Sequence, residues 1–331
     1  MQHGAQLAVD QINERGGVRG RRLRLKLADD SASEDPAVRV AQTLRDNPAV
    51  VAVVGHLTSD ASIVAAQVYG GGTHPVTMIS PSASSPDVSG ISRYAFRICP
   101  SDSSHGAALA RFAWQTLVAR RAGILFTSDA YGRGMRRAFA ADFVRMGGTV
   151  IEADPYVPTT PSLEPYLSRM RQVGIDVLVL GADRSEAEPA LQQVRALGIR
   201  WPVMGGDALA GIETAGALAE GIWISSAYLP DRAGDKNATF VADYGRAYPG
   251  ERPDHRAASA YDIVNLLAQA ISAAGPSRRA VRDYVARVGR GVAAFDGVTG
   301  RIAFDEAGGV PSKAVAIAVV RRGRLVQASS E

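Results

Sequence analysis

The sequence holds one cysteine, Cys99, and this alone excludes an intrachain disulfide and a cysteine-ligated zinc site. Following an apolar strand, Cys99 reads as a small core residue. Long apolar runs are missing too, since no stretch approaches the ~20 residues that a membrane-spanning helix needs. Charge of one sign is not concentrated. The formal net charge is +4, but arginine pairs such as Arg21-Arg22, Arg136-Arg137, Arg278-Arg279 and Arg321-Arg322 are scattered with acids between them. That is not the basic stripe of a nucleic-acid-binding surface. His3, His56, His74, His105 and His255 are isolated, with no i, i+4 pair and no His-Glu-x-x-His, so each reads as a surface or capping residue and no metal is expected. No phosphate-cradling loop, no G-x-G-x-x-G and no G-x-S-x-G occurs, and Gly70-Gly71-Gly72 is a turn rather than a nucleotide fingerprint. No cofactor is therefore expected. A doubly wound enzyme would have only Asp129, Asp183 or Asp207 as a base.

What the chain does have suits two domains: 331 residues, 46% hydrophobic and 21% charged, a globular composition. Ala5, Ala8, Val9 and Ile12 share a helical face, and Gly16-Gly17 follows as a C-terminal stop. Leucines at 23, 25 and 27 alternate with basic residues, which predicts a strand over 22–28. The pattern continues with a helix over 36–46, strand 50–54, helix 60–69, strand 76–79 and strand 94–98. A second series runs from a helix at 103–119 through strands 123–126, 149–156, 176–180, 202–204 and 222–227, with helices between most of them. Strands separated by helices of this length predict open parallel sheets with right-handed crossovers. Beyond Pro230 the sequence reads as mostly helical, over 234–247, 257–274 and 277–288, and ends in strands near 313–320 and 324–327. The late helices need a sheet on which to bury Ile263, Leu266, Leu267 and Ile271. The expected organisation is therefore α/β, two doubly wound lobes: 1–102 with 229–305, and 103–228 with 306–331.

Small hydroxylic residues concentrate directly after strands. Gly55-His56-Leu57-Thr58-Ser59-Asp60-Ala61-Ser62 follows one strand and opens a helix, whose N-terminal N–H groups favour an anion. Ser80-Pro81-Ser82-Ala83-Ser84-Ser85-Pro86 follows the next. Ligands of open α/β sheets sit beyond the carboxyl ends of the strands, so the two loops together predict a carboxylate cradle.

These residues carry a resemblance. The run Gly4-Ala5-Gln6-Leu7-Ala8-Val9-Asp10-Gln11-Ile12-Asn13, with Gly16-Gly17-Val18-Arg19-Gly20, Ala28-Asp29-Asp30, Val54-Gly55-His56-Leu57-Thr58-Ser59, Ile79-Ser80-Pro81-Ser82-Ala83-Ser84 and Ala130-Tyr131-Gly132-Arg133-Gly134, resembles the leucine/isoleucine/valine-binding branch of the type I periplasmic binding proteins. The likeness runs from residue 4 to the end, and it is the order and spacing of these motifs that is specific. It implies a monomeric, periplasmic or cell-surface protein whose two lobes, joined by three crossings, close on an amino acid or similar small carboxylate and deliver it to an ABC permease. A ligand sensor on the same fold is the alternative. By the same resemblance, Leu57, Ser59, Ser82, Ala83 and Ser84 line the carboxylate side, with hydroxyls from Ser59 and Ser84. Tyr131 closes over the ligand, Asp207 faces its α-ammonium, and Asp183 stands where close relatives carry an aromatic. Two features depart from the family. Its opening strand, which would lie between 22–28 and 50–54, has no counterpart, and Met1-Gln2-His3-Gly4 enters a helix without an export signal. An upstream start of the natural product is the corresponding expectation.

Overall fold

The computed structural model describes residues 1–157 and 159–328, which divide into two compact units, Met1–Ser101 with Pro230–Lys313 and Asp102–Leu229 with the segment from Ala314 on. The chain thus passes between units three times. Residues 306–313 stay with the first unit rather than the second, because backbone bonds tie this segment to it: Gly90 N–H to the Ala307 carbonyl at 3.0 Å and Arg97 N–H to the Gly308 carbonyl at 2.9 Å.

The first unit is built on a parallel sheet of β1 (Ala52–Val54), β2 (Thr77–Ser80) and β3 (Ala95–Arg97), in that spatial order. Helices α1 (Gln2–Glu14), α2 (Glu34–Asp46) and α3 (Ser59–Gly70) precede or separate these strands, and α8 (Asp235–Ala247), α9 (His255–Ala274) and α10 (Arg278–Val285) join them from the later part of the chain. Ile263, Leu266 and Leu267 of α9 pack in one core with Ile79, Phe96 and Ile98. The apolar face of α1 packs on α9 through Ala5, Ala8, Val9 and Ile12 against Ala260, Val264 and Ala268. That approach requires glycine at position 4, where a Cβ would lie 1.9 Å from the Ala257 carbonyl oxygen.

Residues 22–28 do not form the expected strand. They run without ladder partners among the described residues, and Leu27 is 56% exposed. The alternating leucines have another cause. Leu23 and Leu25 pack against the α1 cluster, and the Asn13 side chain donates to the Leu23 carbonyl at 2.9 Å and accepts its N–H at 2.7 Å. One-sided packing on a helix yields the same period of two as a sheet. A short antiparallel pair that the sequence did not lead us to expect, β9 (Phe295–Gly297) with β10 (Gly300–Ile302), completes this unit. Its turn is stapled to α9: the Asp262 carboxylate accepts the Val298 and Thr299 N–H groups at 2.8 and 2.9 Å and the Thr299 hydroxyl at 2.6 Å. Lys313 Nζ, also buried, donates to the same hydroxyl at 2.6 Å. Burial pushes the Lys313 amine down to about 8 against the pull of Asp262, and burial pushes the Asp262 carboxyl up.

The second unit has a seven-stranded sheet. In chain order its strands are β4 (Arg121–Thr127), β5 (Thr149–Tyr156), β6 (Val177–Gly181), β7 (Val203–Gly205), β8 (Trp223–Ser226), β11 (Ala316–Arg321) and β12 (Arg324–Gln327), in spatial order β12-β11-β8-β7-β6-β4-β5. The pairs from β4 to β8 are parallel; β11 pairs antiparallel with β8, and β12 with β11. Helices α4 (Asp102–Gln115), α5 (Ala130–Arg145), α6 (Glu164–Val173) and α7 (Arg184–Ala196) cover it. β6, with every residue of Val177–Gly181 buried, is the continuous apolar strand expected where helices cover both faces of a parallel sheet.

Candidate ligand-binding sites in the two units

In the first unit the loops after β1 and β2 are laced together by their own hydroxyls. Ser80 Oγ donates to the His56 carbonyl at 2.7 Å and accepts the Ala83 N–H at 2.9 Å. Ser82 Oγ donates to the Leu57 carbonyl at 2.6 Å, so this hydroxyl braces one loop against the other. Ser59, at the start of α3 and 4% exposed, accepts the Ser85 N–H at 3.2 Å. A hydroxyl that accepts one amide still has its own proton to donate. Thr58 caps α3 by accepting the Ala61 N–H at 3.4 Å. Ala83 and Ser84 are buried, and Leu57 and Ser82 are half-buried.

Positive charge lies behind the second loop. Arg97, on β3 and 6% exposed, donates to the Ser84 carbonyl at 2.6 Å and the Ser85 carbonyl at 3.3 Å. Its guanidinium and the α3 N-terminus favour an anion over these loops, opposed locally by Asp60 in the first helical turn. Sequence reasoning missed Arg97. The available signal was an arginine inside the otherwise apolar Ala95-Phe96-Arg97-Ile98.

The second unit gathers ionisable groups of the opposite kind. Asp207 follows β7 and is 2% exposed, and His105 of α4, wholly buried, brings Nε2 to 3.4 Å from its carboxylate. The other ring nitrogen of His105 lies 2.9 Å from Ser225 Oγ on β8. Tyr131 is buried in the first turn of α5, which Asp129 caps by accepting the Gly132 N–H at 2.6 Å. Burial first, then the negative charge of Asp207 and Asp102, pushes the Tyr131 hydroxyl well above its ordinary range. Gly206 is the residue that admits this packing: a Cβ there would lie 2.2 Å from Tyr131 Oη. Asp102, fully buried at the head of α4, leaves no room for a Cβ on Gly134, which would come within 2.2 Å of its carboxylate. Tyr131 and Asp207 are thus brought together with Asp102, which the sequence did not single out, and with His105, which read in the sequence only as a surface or capping histidine.

Asp183 stands differently. It is exposed at the N-cap of α7, where it accepts the Glu186 N–H at 3.1 Å and the Ser185 hydroxyl at 2.8 Å, while Glu186 accepts its N–H in return. This reciprocal capping box occupies the carboxylate. Burial and the adjacent Asp183 raise Glu186 to about 7. The histidines also need correction: His56, His105 and His255 are buried, at 5%, 0% and 3% exposure, rather than on the surface. His56 meets Asp30 and Tyr69, and His105 meets Ser225, at separations of 13–120 positions that no local pattern could reveal. Cys99 is buried, as its place after the apolar strand led us to expect. Among the described residues no cluster of His, Cys, Asp or Glu could hold a metal ion, and no helix is long and apolar enough to cross a membrane.

Two α/β units of this topology, each with hydroxyl-rich or acid-bearing loops following its strands, define the type I periplasmic-binding-protein fold. The chain belongs to the periplasmic binding protein family, whose model matches residues 1–324. An ABC transporter substrate-binding protein of Desulfitobacterium hafniense, solved in complex with leucine, is 30% identical, with a TM-score of 0.85 over 99% of this chain and 95% of that one. The branched-chain amino acid transporter substrate-binding protein of Streptococcus pneumoniae, in complex with isoleucine, is 27% identical, with a TM-score of 0.86 over 99% of this chain and 94% of that one. Among curated relatives, a Leu/Ile/Val-binding protein of Rhizobium johnstonii is 26% identical over 99% of this chain and 88% of its own length.

Proposed function

We propose that this protein is the extracytoplasmic receptor of an ABC importer, taking an amino acid or a similar small carboxylate and delivering it to a permease. The carboxylate binds the first unit through the Ser59 hydroxyl and the Ser84 region, with Arg97 supplying positive charge from behind. The second unit answers the ligand's ammonium with Asp207 and covers it with Tyr131. Closure follows from that division: a ligand engaging both units favours the closed state only by the contacts it makes there and not in the open state. Asp183, committed to capping α7, is outside the proposed contacts.

The observation that carries the reading is Ser59: buried at a helix N-terminus, it accepts Ser85's amide and so keeps its proton for an acceptor. An anion is the acceptor that the surroundings favour, and charge-assisted hydrogen bonds are roughly twice as strong as neutral ones. Two similar proteins holding leucine and isoleucine support an amino acid as the class.

The test is a thermal-shift screen of the twenty amino acids, each beside its desamino carboxylic acid. A ligand at 100 times its dissociation constant stabilises by ~2.7 kcal/mol, an upward shift of several degrees. Asp207→Ala is expected to lower amino-acid affinity at least about tenfold, about 1.4 kcal/mol, and to leave the desamino acid nearly unaffected. No response to any member, or equal losses for both classes in Asp207→Ala, overturns the proposal.

A further inference from the structure

The histidine ring beside the first loop is held at both nitrogens, and the hold continues by hydrogen bonds into the second loop. Asp30, in the turn before α2, meets His56 Nδ1 in a close contact, and His56 Nε2 lies 3.2 Å from Tyr69 Oη on α3. The bond from His56 outweighs burial and holds the Asp30 carboxyl below its ordinary range. Tyr69 is wholly buried. A ring so fixed fixes its own backbone, and the His56 carbonyl accepts both Ser80 Oγ at 2.7 Å and Ser62 Oγ at 3.3 Å. Ser80 Oγ then accepts the N–H groups of Ala83 at 2.9 Å and Ser82 at 3.3 Å. Asp30, Tyr69 and the His56 ring are not among the proposed ligand contacts.

We propose that His56 is a positioning residue: clamped between Asp30 and Tyr69, it orients the Ser80 hydroxyl through its carbonyl and thereby sets the course of the Ser82–Ser84 loop that receives the ligand's anion. The inference rests on the proposed role of that loop as the anion's seat. Its physical basis is that a hydroxyl donating to one carbonyl has its remaining lone pairs directed, so Ser80 accepts the Ala83 and Ser82 amides only while the His56 carbonyl stays in place. Without the clamp the loop keeps its sequence and loses its preorganisation, and affinity falls because the ligand must then order it.

The test is amide hydrogen exchange of the ligand-free protein, which reports local opening without any ligand. His56→Ala is expected to speed exchange across residues 80–86 by about tenfold, and Asp30→Asn by several-fold, with the rest of the unit little changed. His56→Asn, which keeps a donor near the Nδ1 position, is expected to restore slow exchange to within about twofold. Unchanged exchange at 80–86 in folded His56→Ala, or acceleration spread evenly over the unit, overturns the proposal; should His56→Ala not fold, the same two outcomes in Asp30→Asn decide it. Calorimetry with L-leucine or another amino acid from the screen separates this inference from the function on which it rests. Failure of every amino acid to bind the wild type sinks the function while the exchange result stands, whereas tight binding by a His56→Ala protein with a loosened loop sinks the positioning role.

Discussion

Replacing Ser59 by alanine separates the job the structure shows for this hydroxyl from the one proposed for it. Ser59 Oγ accepts the Ser85 N–H at 3.2 Å, at a site 4% exposed. Removing the acceptor leaves a buried amide unpaired, which costs about 1–3 kcal/mol of stability. On the proposed role, the same substitution also deletes a hydrogen bond to the ligand's carboxylate, about 1.5–3 kcal/mol, or roughly 10- to 150-fold in affinity. Urea denaturation without ligand measures the first effect, and calorimetry with L-leucine and L-isoleucine at neutral pH measures the second. Thr58→Ala is the control: it removes the cap that accepts the Ala61 N–H, at a cost of about 0.5–2 kcal/mol. It is expected to lower stability and leave affinity nearly alone. If Ser59→Ala loses stability by the expected amount while its affinity matches the wild type, the hydroxyl is only a brace between loops and the anion assignment fails.

Two further outcomes concern the framework. Glu186, raised to about 7 by burial and by Asp183, binds a proton more tightly folded than unfolded, so its ionisation destabilises the protein as pH rises from about 4.5 to 7. Glu186→Gln should match the wild type near pH 4.5 and melt higher at pH 8, by no more than about 1 kcal/mol since the group is half-exposed; a difference that shrinks with rising pH would refute the sign. Asp262→Ala removes three acceptor contacts and leaves the buried Lys313 without its counter-charge, an expected loss of about 3–5 kcal/mol at pH 7. Because Lys313 titrates at about 8, that loss should be smaller at pH 9.5, and urea unfolding that shows equal losses at both pH values would exclude the Lys313 contribution.

The order of helices and strands, the return of the late helices and the two hydroxyl-rich loops were legible in the sequence, because each is written in neighbouring residues. Periodicities of 3.6 and 2 record which side of an element is buried, and Gly55 to Ser62 and Ser80 to Pro86 record where strands end. The same local character explains the failures. Leu23 and Leu25 alternate because they pack on α1, and alternation alone does not say whether the neighbour is a strand or a helix. The β9–β10 pair is too short for a period to emerge, and what fixes its turn is Asp262, 36 positions earlier.

The charged machinery was decided by tertiary structure alone. Asp183 and Asp207 look equivalent as single acids after strands, yet one is an exposed cap satisfied by its own helix and the other is buried beside a histidine 102 positions away. His56, Asp102 and His105 carry no local signature of their partners either. A buried polar group must be paired wherever a partner exists, and the partner is supplied by whichever element folding brings near, at a separation no local pattern encodes.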